Sequence, residues 1–213
     1  MSQLTSLLAF LTLVVTVLLA WCQPWRGRLR LFVAQSILLA LLAVTISVLA
    51  ARPWLLVAAT AFAILKAVVV PRILARIAAG TPPRPVAPGR STATGVLVAG
   101  ALIVVAYVVM LPVTAGRALP TASAIPLGFA VALVGLFVCV TGRDVLGHVL
   151  GFLAFENGVF ALALLATYGL PGLMEAGVLL DVLVIVLIVE GVAVQLRREH
   201  DSLAVDRLTE LRG

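Results

Sequence analysis

The stretch Gly151–Leu165, "GFLAFENGVFALALL", holds one carboxylate, Glu156, in the middle of a run that otherwise offers apolar side chains, one amide and glycine. The composition around it decides what kind of helix this is. The 213 residues are 63% hydrophobic and 11% charged, with a mean hydropathy of +1.22, beyond the range of soluble domains. Apolar runs of about 20 residues recur along the chain, each long enough to cross roughly 30 Å of hydrocarbon as a helix. Lipid offers backbone groups no partner, so such runs are helical. The reading is an all-α, polytopic membrane protein of about seven transmembrane helices, at 3–22, 31–51, 54–75, 94–113, 125–142, 146–168 and 174–196.

The first run has no basic segment ahead of it and no small-residue cleavage site, so it reads as a retained span and not a signal peptide. The net charge of +6 and pI of 10.6 come from arginines placed between spans, which argues for orientation and against nucleic acid as a partner. Arg26, Arg28 and Arg30 follow span one, Arg72, Arg76, Arg84 and Arg90 lie at or after the end of span three, and Arg143 follows span five. Arg197, Arg198, Arg207 and Arg212 follow span seven. The intervening connections hold only Arg52, Arg117 and Glu175. Basic residues on every second loop put the N-terminus outside and the C-terminus in the cytoplasm. The segments are then 1–77 with three spans, a Pro/Gly-rich cytoplasmic loop at 78–93, 94–196 with four spans, and a tail at 197–213. No internal repeat of the inverted kind is visible.

Cys22 and Cys139 have no paired spacing and no histidine cluster near them, so they read as inert thiols. No zinc, haem, iron–sulfur or phosphate-loop pattern is present in the sequence, and the chain is expected to hold no cofactor of its own.

The chemistry lies in ionisable residues placed inside spans. A charge at the bilayer centre costs several kcal/mol, so such residues face the bundle interior, pair, or line a wet path. Glu156 sits midway along span six beside Asn157 and Gly158. Lys66, the sole lysine of the chain, lies mid-way along span three, five residues before Pro71, which favours a local kink. A Lys and Glu pair can act as a coupled switch or as a static ion pair. Asp181 occupies the outward half of span seven among apolar neighbours. Glu190 faces nearly the opposite side of that span, close enough to the cytoplasmic end to meet Arg197. His148, near Arg143 and Asp144, is either an access point for protons or an interfacial histidine. The candidate relay is therefore Glu156, Asp181, Lys66, Glu190 and His148.

"GFLAFENGVFALALL", "LPGLMEAGVLLDVLVIVLIVEGV", the tail "DSLAVDRLTELRG" and "LKAVVVPRIL" together resemble the hydrogenase-4 component E family. The likeness is carried by spans six and seven and the tail, and is thinner before span five. Spans five to seven also resemble the K-type subunit of respiratory complex I and the C-type subunit of Mrp antiporters, whose membrane glutamates form a lateral proton path. By that resemblance Glu156 takes the place of the glutamate on the middle helix. The last-helix glutamate falls near Ile185, one turn from Asp181, a shift of about 5 Å on the same face; Glu190 has no counterpart.

The resemblance implies a membrane subunit of a group 4 nickel–iron hydrogenase or formate hydrogenlyase-like complex in a bacterial or archaeal cell membrane. Its buried carboxylates and lysine would move protons, or sodium, in step with redox chemistry elsewhere. The nickel–iron and iron–sulfur centres are expected in soluble hydrogenase and iron–sulfur subunits. Antiporter-like and quinone-subunit-like proteins are expected beside it in the bilayer. An Mrp-type antiporter subunit, a stand-alone secondary transporter and an assembly scaffold are the rival readings.

Overall fold

The computed structural model describes residues 2–22, 24–79, 92–116, 119–142 and 145–168, together with positions 179, 183 and 186. In chain order the elements are α1 (Ser2–Trp21), α2 (Trp25–Leu49), α3 (Pro53–Ile64), a π-helical turn (Leu65–Val69), α4 (Val70–Ala79), α5 (Thr92–Thr114), a 3-10 turn (Ala122–Ala124), α6 (Ile125–Val140) and α7 (Val145–Thr167). No strand occurs among the described residues. With α3, the π turn and α4 forming one continuous rod, six helices among the described residues are long and apolar enough to cross a membrane. They match the first six expected spans. The chain divides into two compact units, Met1–Val178 and Leu179–Gly213, and all six helices belong to the first. The expected seventh span at 174–196 and the tail lie outside the described residues, save for Leu179, Leu183 and Val186, which are helical and exposed.

One expectation needs correcting. α2 begins at Trp25 and not near residue 31, so Arg26, Arg28 and Arg30 ride on its first two turns and do not lie in a loop. Pro24, extended at φ −70 and ψ 129, sits at the cap where its missing N–H costs nothing. Arginine is a good helix former, and its long stem lets the guanidinium reach the headgroup level from within a span. The other end of α2 closes tightly. The Ala51 N–H bonds Val48 O and the Arg52 N–H bonds Ser47 O, a Schellman pair with Ala51 in the left-handed region at φ 51.

α6 and α7 form an antiparallel hairpin whose contact is backbone on backbone. Gly128 and Gly135 share one face of α6, and Gly151 and Gly158 share one face of α7, seven residues apart in each case. A Cβ on Gly128 would come within 2.9 Å of the Leu162 backbone. On Gly135, Gly151 or Gly158 it would be driven into the backbone of Phe155, Cys139 or Ala132 respectively. Where lipid outside is as apolar as the side chains inside, close approach of this kind supplies the dispersion that holds helices together. α1 and α2 pack on α6 and α7, and Leu39, Leu42, Ile46, Phe62, Val134 and Leu165 are among the buried core. α5 stands at the edge; of its described side chains only Ala99 and Ala106 are buried.

The same substitution should therefore have opposite consequences at two glycines. Gly158→Ala is expected to cost about 1–3 kcal/mol, because two helix backbones must separate. Gly100→Ala, on α5 with nothing within 4 Å of the new methyl, should be neutral or stabilising. Thermal unfolding in detergent, followed by circular dichroism, distinguishes them; equal effects at both positions would contradict the packing described.

Candidate functional site

Glu156 and Asn157 are consecutive on α7 and so point about 100° apart. Glu156 turns toward the α3–α4 rod and Asn157 toward α2, and each meets a buried polar partner. Lys66 Nζ donates to Glu156 Oε2 at 2.9 Å, with the lysine side chain wholly buried and that of Glu156 only 6% exposed. One turn away on both helices, Phe62 stacks on Phe160 with ring centroids 4.5 Å apart and an interplanar angle of 12°. Lys66 Nζ also lies 5.2 Å from the centroid of the Phe62 ring, so carboxylate and aromatic face both stabilise the ammonium.

The π turn is what brings Lys66 to this place. Within it the Val70 N–H bonds Leu65 O, a step of five residues where an α-helix takes four, so one extra residue is wound into the rod at the lysine. Pro71 follows directly and has no N–H to continue either register. Near Pro71, where a kink is expected, the rod carries a π-helical turn that ends at Val69. At 1.5 Å per residue Lys66 lies about 15 Å from Arg76, and Glu156 about 16 Å from either end of α7, which is half of a typical hydrocarbon thickness.

A second polar group crosses the bundle from Asn157. Its Nδ2 donates to Gln35 Oε1 at 3.1 Å and to Ser36 Oγ at 3.3 Å. Gln35 Nε2 donates to Thr16 Oγ1 at 2.8 Å, and Thr16 Oγ1 donates to Thr12 O at 2.7 Å. Gln35, Ser36, Thr12, Thr16 and Asn157 are all at 0% exposure, so three helices, α1, α2 and α7, contribute to one polar layer in an apolar interior. Counting charges along the sequence found Lys66, Glu156 and the neighbouring Asn157, and missed Gln35, Ser36 and the threonines. A signal was available: "VAQSILLALL" carries an amide and a hydroxyl in an otherwise apolar run, and buried amides need partners as charges do.

The structure brings together Lys66 and Glu156 and leaves His148 apart. His148 is exposed on the first turns of α7, about 12 Å along the helix from Glu156. It packs at the α6–α7 turn, where a Cβ on Gly142 would come within 3.1 Å of its Nδ1. Asp181 and Glu190 lie outside the described residues. Cys22 and Cys139 are free thiols. Among the described residues no three of His, Cys, Asp and Glu gather as a metal site would require.

The comparisons with known proteins bear on this chain as a whole. It is 32% identical over 201 residues to the uncharacterised protein Rv0085 of Mycobacterium tuberculosis, covering 93% of this chain and 91% of that one. It is 28% identical over 217 residues to hydrogenase-4 component E of Escherichia coli K12, covering 100% of this chain and 99% of the relative. The Shigella flexneri protein of the same description gives the same figures. The chain belongs to the same family as Rv0085, and it is similar over its full length to hydrogenase-4 component E. No family model matches it, and no solved structure does. Family likeness therefore runs end to end, through the N-terminal helices that supply Thr16, Gln35 and Lys66 as well as through α7.

Removing one partner of the pair should cost about 3–5 kcal/mol, since it strands a charge in the interior. Lys66→Met and Glu156→Gln are each expected to lower the melting temperature in detergent. The double variant Lys66→Met/Glu156→Gln should recover most of the loss, giving a coupling energy in a double-mutant cycle. Additive losses would contradict the pairing.

Proposed function

We propose that the chain is a membrane subunit of a group 4 nickel–iron hydrogenase or formate hydrogenlyase-like complex, and that Lys66 and Glu156 are the centre of its proton, or sodium, path. The observation that carries this reading is the buried Lys66–Glu156 pair at 2.9 Å, set mid-way along helices that are long and apolar enough to span a bilayer. End-to-end similarity to hydrogenase-4 component E supports the choice of complex. So does the resemblance of the C-terminal spans to K-type complex I and C-type Mrp subunits.

A pair of this kind responds to charge. A proton reaching Glu156 frees the Lys66 ammonium, and a tenfold change in the balance of protonation corresponds to about 1.4 kcal/mol. The energy comes from redox chemistry at nickel–iron and iron–sulfur centres held by soluble partner subunits. In this reading His148, exposed at the arginine-bearing end of the bundle, is the access point from the cytoplasm. Asp181 and Glu190 continue the path toward antiporter-like and quinone-subunit-like neighbours. The subunit is multi-pass in a bacterial or archaeal cell membrane, with its N-terminus outside and C-terminus in the cytoplasm.

The test uses the intact complex in inverted membrane vesicles. Affinity purification of the tagged chain should bring hydrogenase and iron–sulfur subunits with it. The double variant Lys66→Met/Glu156→Gln should keep hydrogen-dependent dye reduction and lose ion translocation by at least about tenfold, the factor that 1.4 kcal/mol represents. A chain that purifies alone, or a double variant that translocates at the parent rate, would overturn the proposal.

A further inference from the structure

Helix α7 is held from three directions. Glu156 faces the α3–α4 rod through its bond to Lys66. Asn157 faces α2 through Gln35 and Ser36. Gly151 and Gly158 lie against the backbone of α6. Successive residues are about 100° apart, so residues 156, 157 and 158 point to three different sides. Only one rotation of α7 about its axis satisfies all three.

We infer that Asn157 and Gln35 are positioning residues for the Lys66–Glu156 pair: the hydrogen-bonded arm they form with Thr16 fixes the rotation of α7, and with it the place where Glu156 meets the ammonium. This rests on the reading of the pair as an ion path and adds the residues that set its geometry. The arm has a fixed direction. Asn157 donates to Gln35, Gln35 donates to Thr16, and Thr16 donates to the carbonyl of Thr12. It therefore ends on helix backbone, an acceptor that cannot turn away. Its side chains are two amides and a hydroxyl, which neither gain nor lose a proton in the physiological range. They stay polar and constant while the pair beside them changes charge.

The head of the arm carries a further observation. Asn157 Oδ1 is buried and has no hydrogen-bond partner among the described residues. A buried carbonyl left without a donor is disfavoured, so the orientation of this amide is held by its Nδ2 bonds to Gln35 and Ser36. If those bonds are lost, the amide is free to turn and α7 to rotate, and Glu156 moves with it.

The test reads Glu156 itself. Infrared spectra of the purified protein, taken across a pH series, contain the Glu156 carboxyl band, identified by subtracting the double variant Lys66→Met/Glu156→Gln. Gln35→Met keeps the side-chain volume and removes the amide. It should broaden or displace the Glu156 band and move its titration midpoint by about one pH unit or more. Thr16→Val, which cuts only the far link, should do the same to a smaller extent. A brace that served packing alone would change the melting temperature and leave band and midpoint where they are. That result, or an unaltered spectrum in both variants, would overturn the inference. Failure of the ion-path reading shows separately, as undiminished translocation in the double variant whatever the spectra do.

Discussion

Taking a lysine and a glutamate out of water together is the constraint around which this bundle is arranged. Either charge alone in the middle of a bilayer is disfavoured by several kcal/mol, and the attraction between them offsets this only when the contact is direct and the surroundings hold it. Three local features provide that hold. The π turn at Leu65–Val69 places Lys66 toward α7. The glycine contacts let α6 and α7 close up until their backbones touch. The stacked Phe62 and Phe160 rings seal one side of the pair and offer an aromatic face to the ammonium.

Much of this was legible in the sequence because it follows from length and hydropathy. A run of about 20 apolar residues has few alternatives in lipid, so the first six spans could be read within a few residues. Lys66 and Glu156 were legible because a charge inside such a run is expensive and must be explained. The start of α2 was misread for a related reason: hydropathy stops at an arginine, whereas a helix does not, and Arg26, Arg28 and Arg30 lie within its first two turns. The partner of Lys66 required knowing which helices are neighbours. The Gln35–Asn157 arm was invisible to a reading that followed formal charge, since an amide is neutral yet equally in need of a partner when buried.

The division of labour between the two halves of the described chain is itself informative. Glu156 and Asn157 come from α7, near the end of the described chain. Lys66, Gln35 and Thr16 come from the N-terminal helices. These helices are thus part of the polar layer and not merely an anchor. The similarity to hydrogenase-4 component E extends over these N-terminal helices as well as α7.

The most direct measurement of the central claim exploits the fact that Lys66 is the only lysine in the chain. Nitrogen-labelled lysine gives a single side-chain ammonium signal, and carbon-labelled glutamate allows its contacts to be read by solid-state magnetic resonance in lipid. The account predicts a close dipolar contact from the Lys66 nitrogen to one glutamate carboxyl carbon, protected from exchange with water and absent after Glu156→Gln. A lysine signal that exchanges freely with water and shows no carboxyl contact would contradict it.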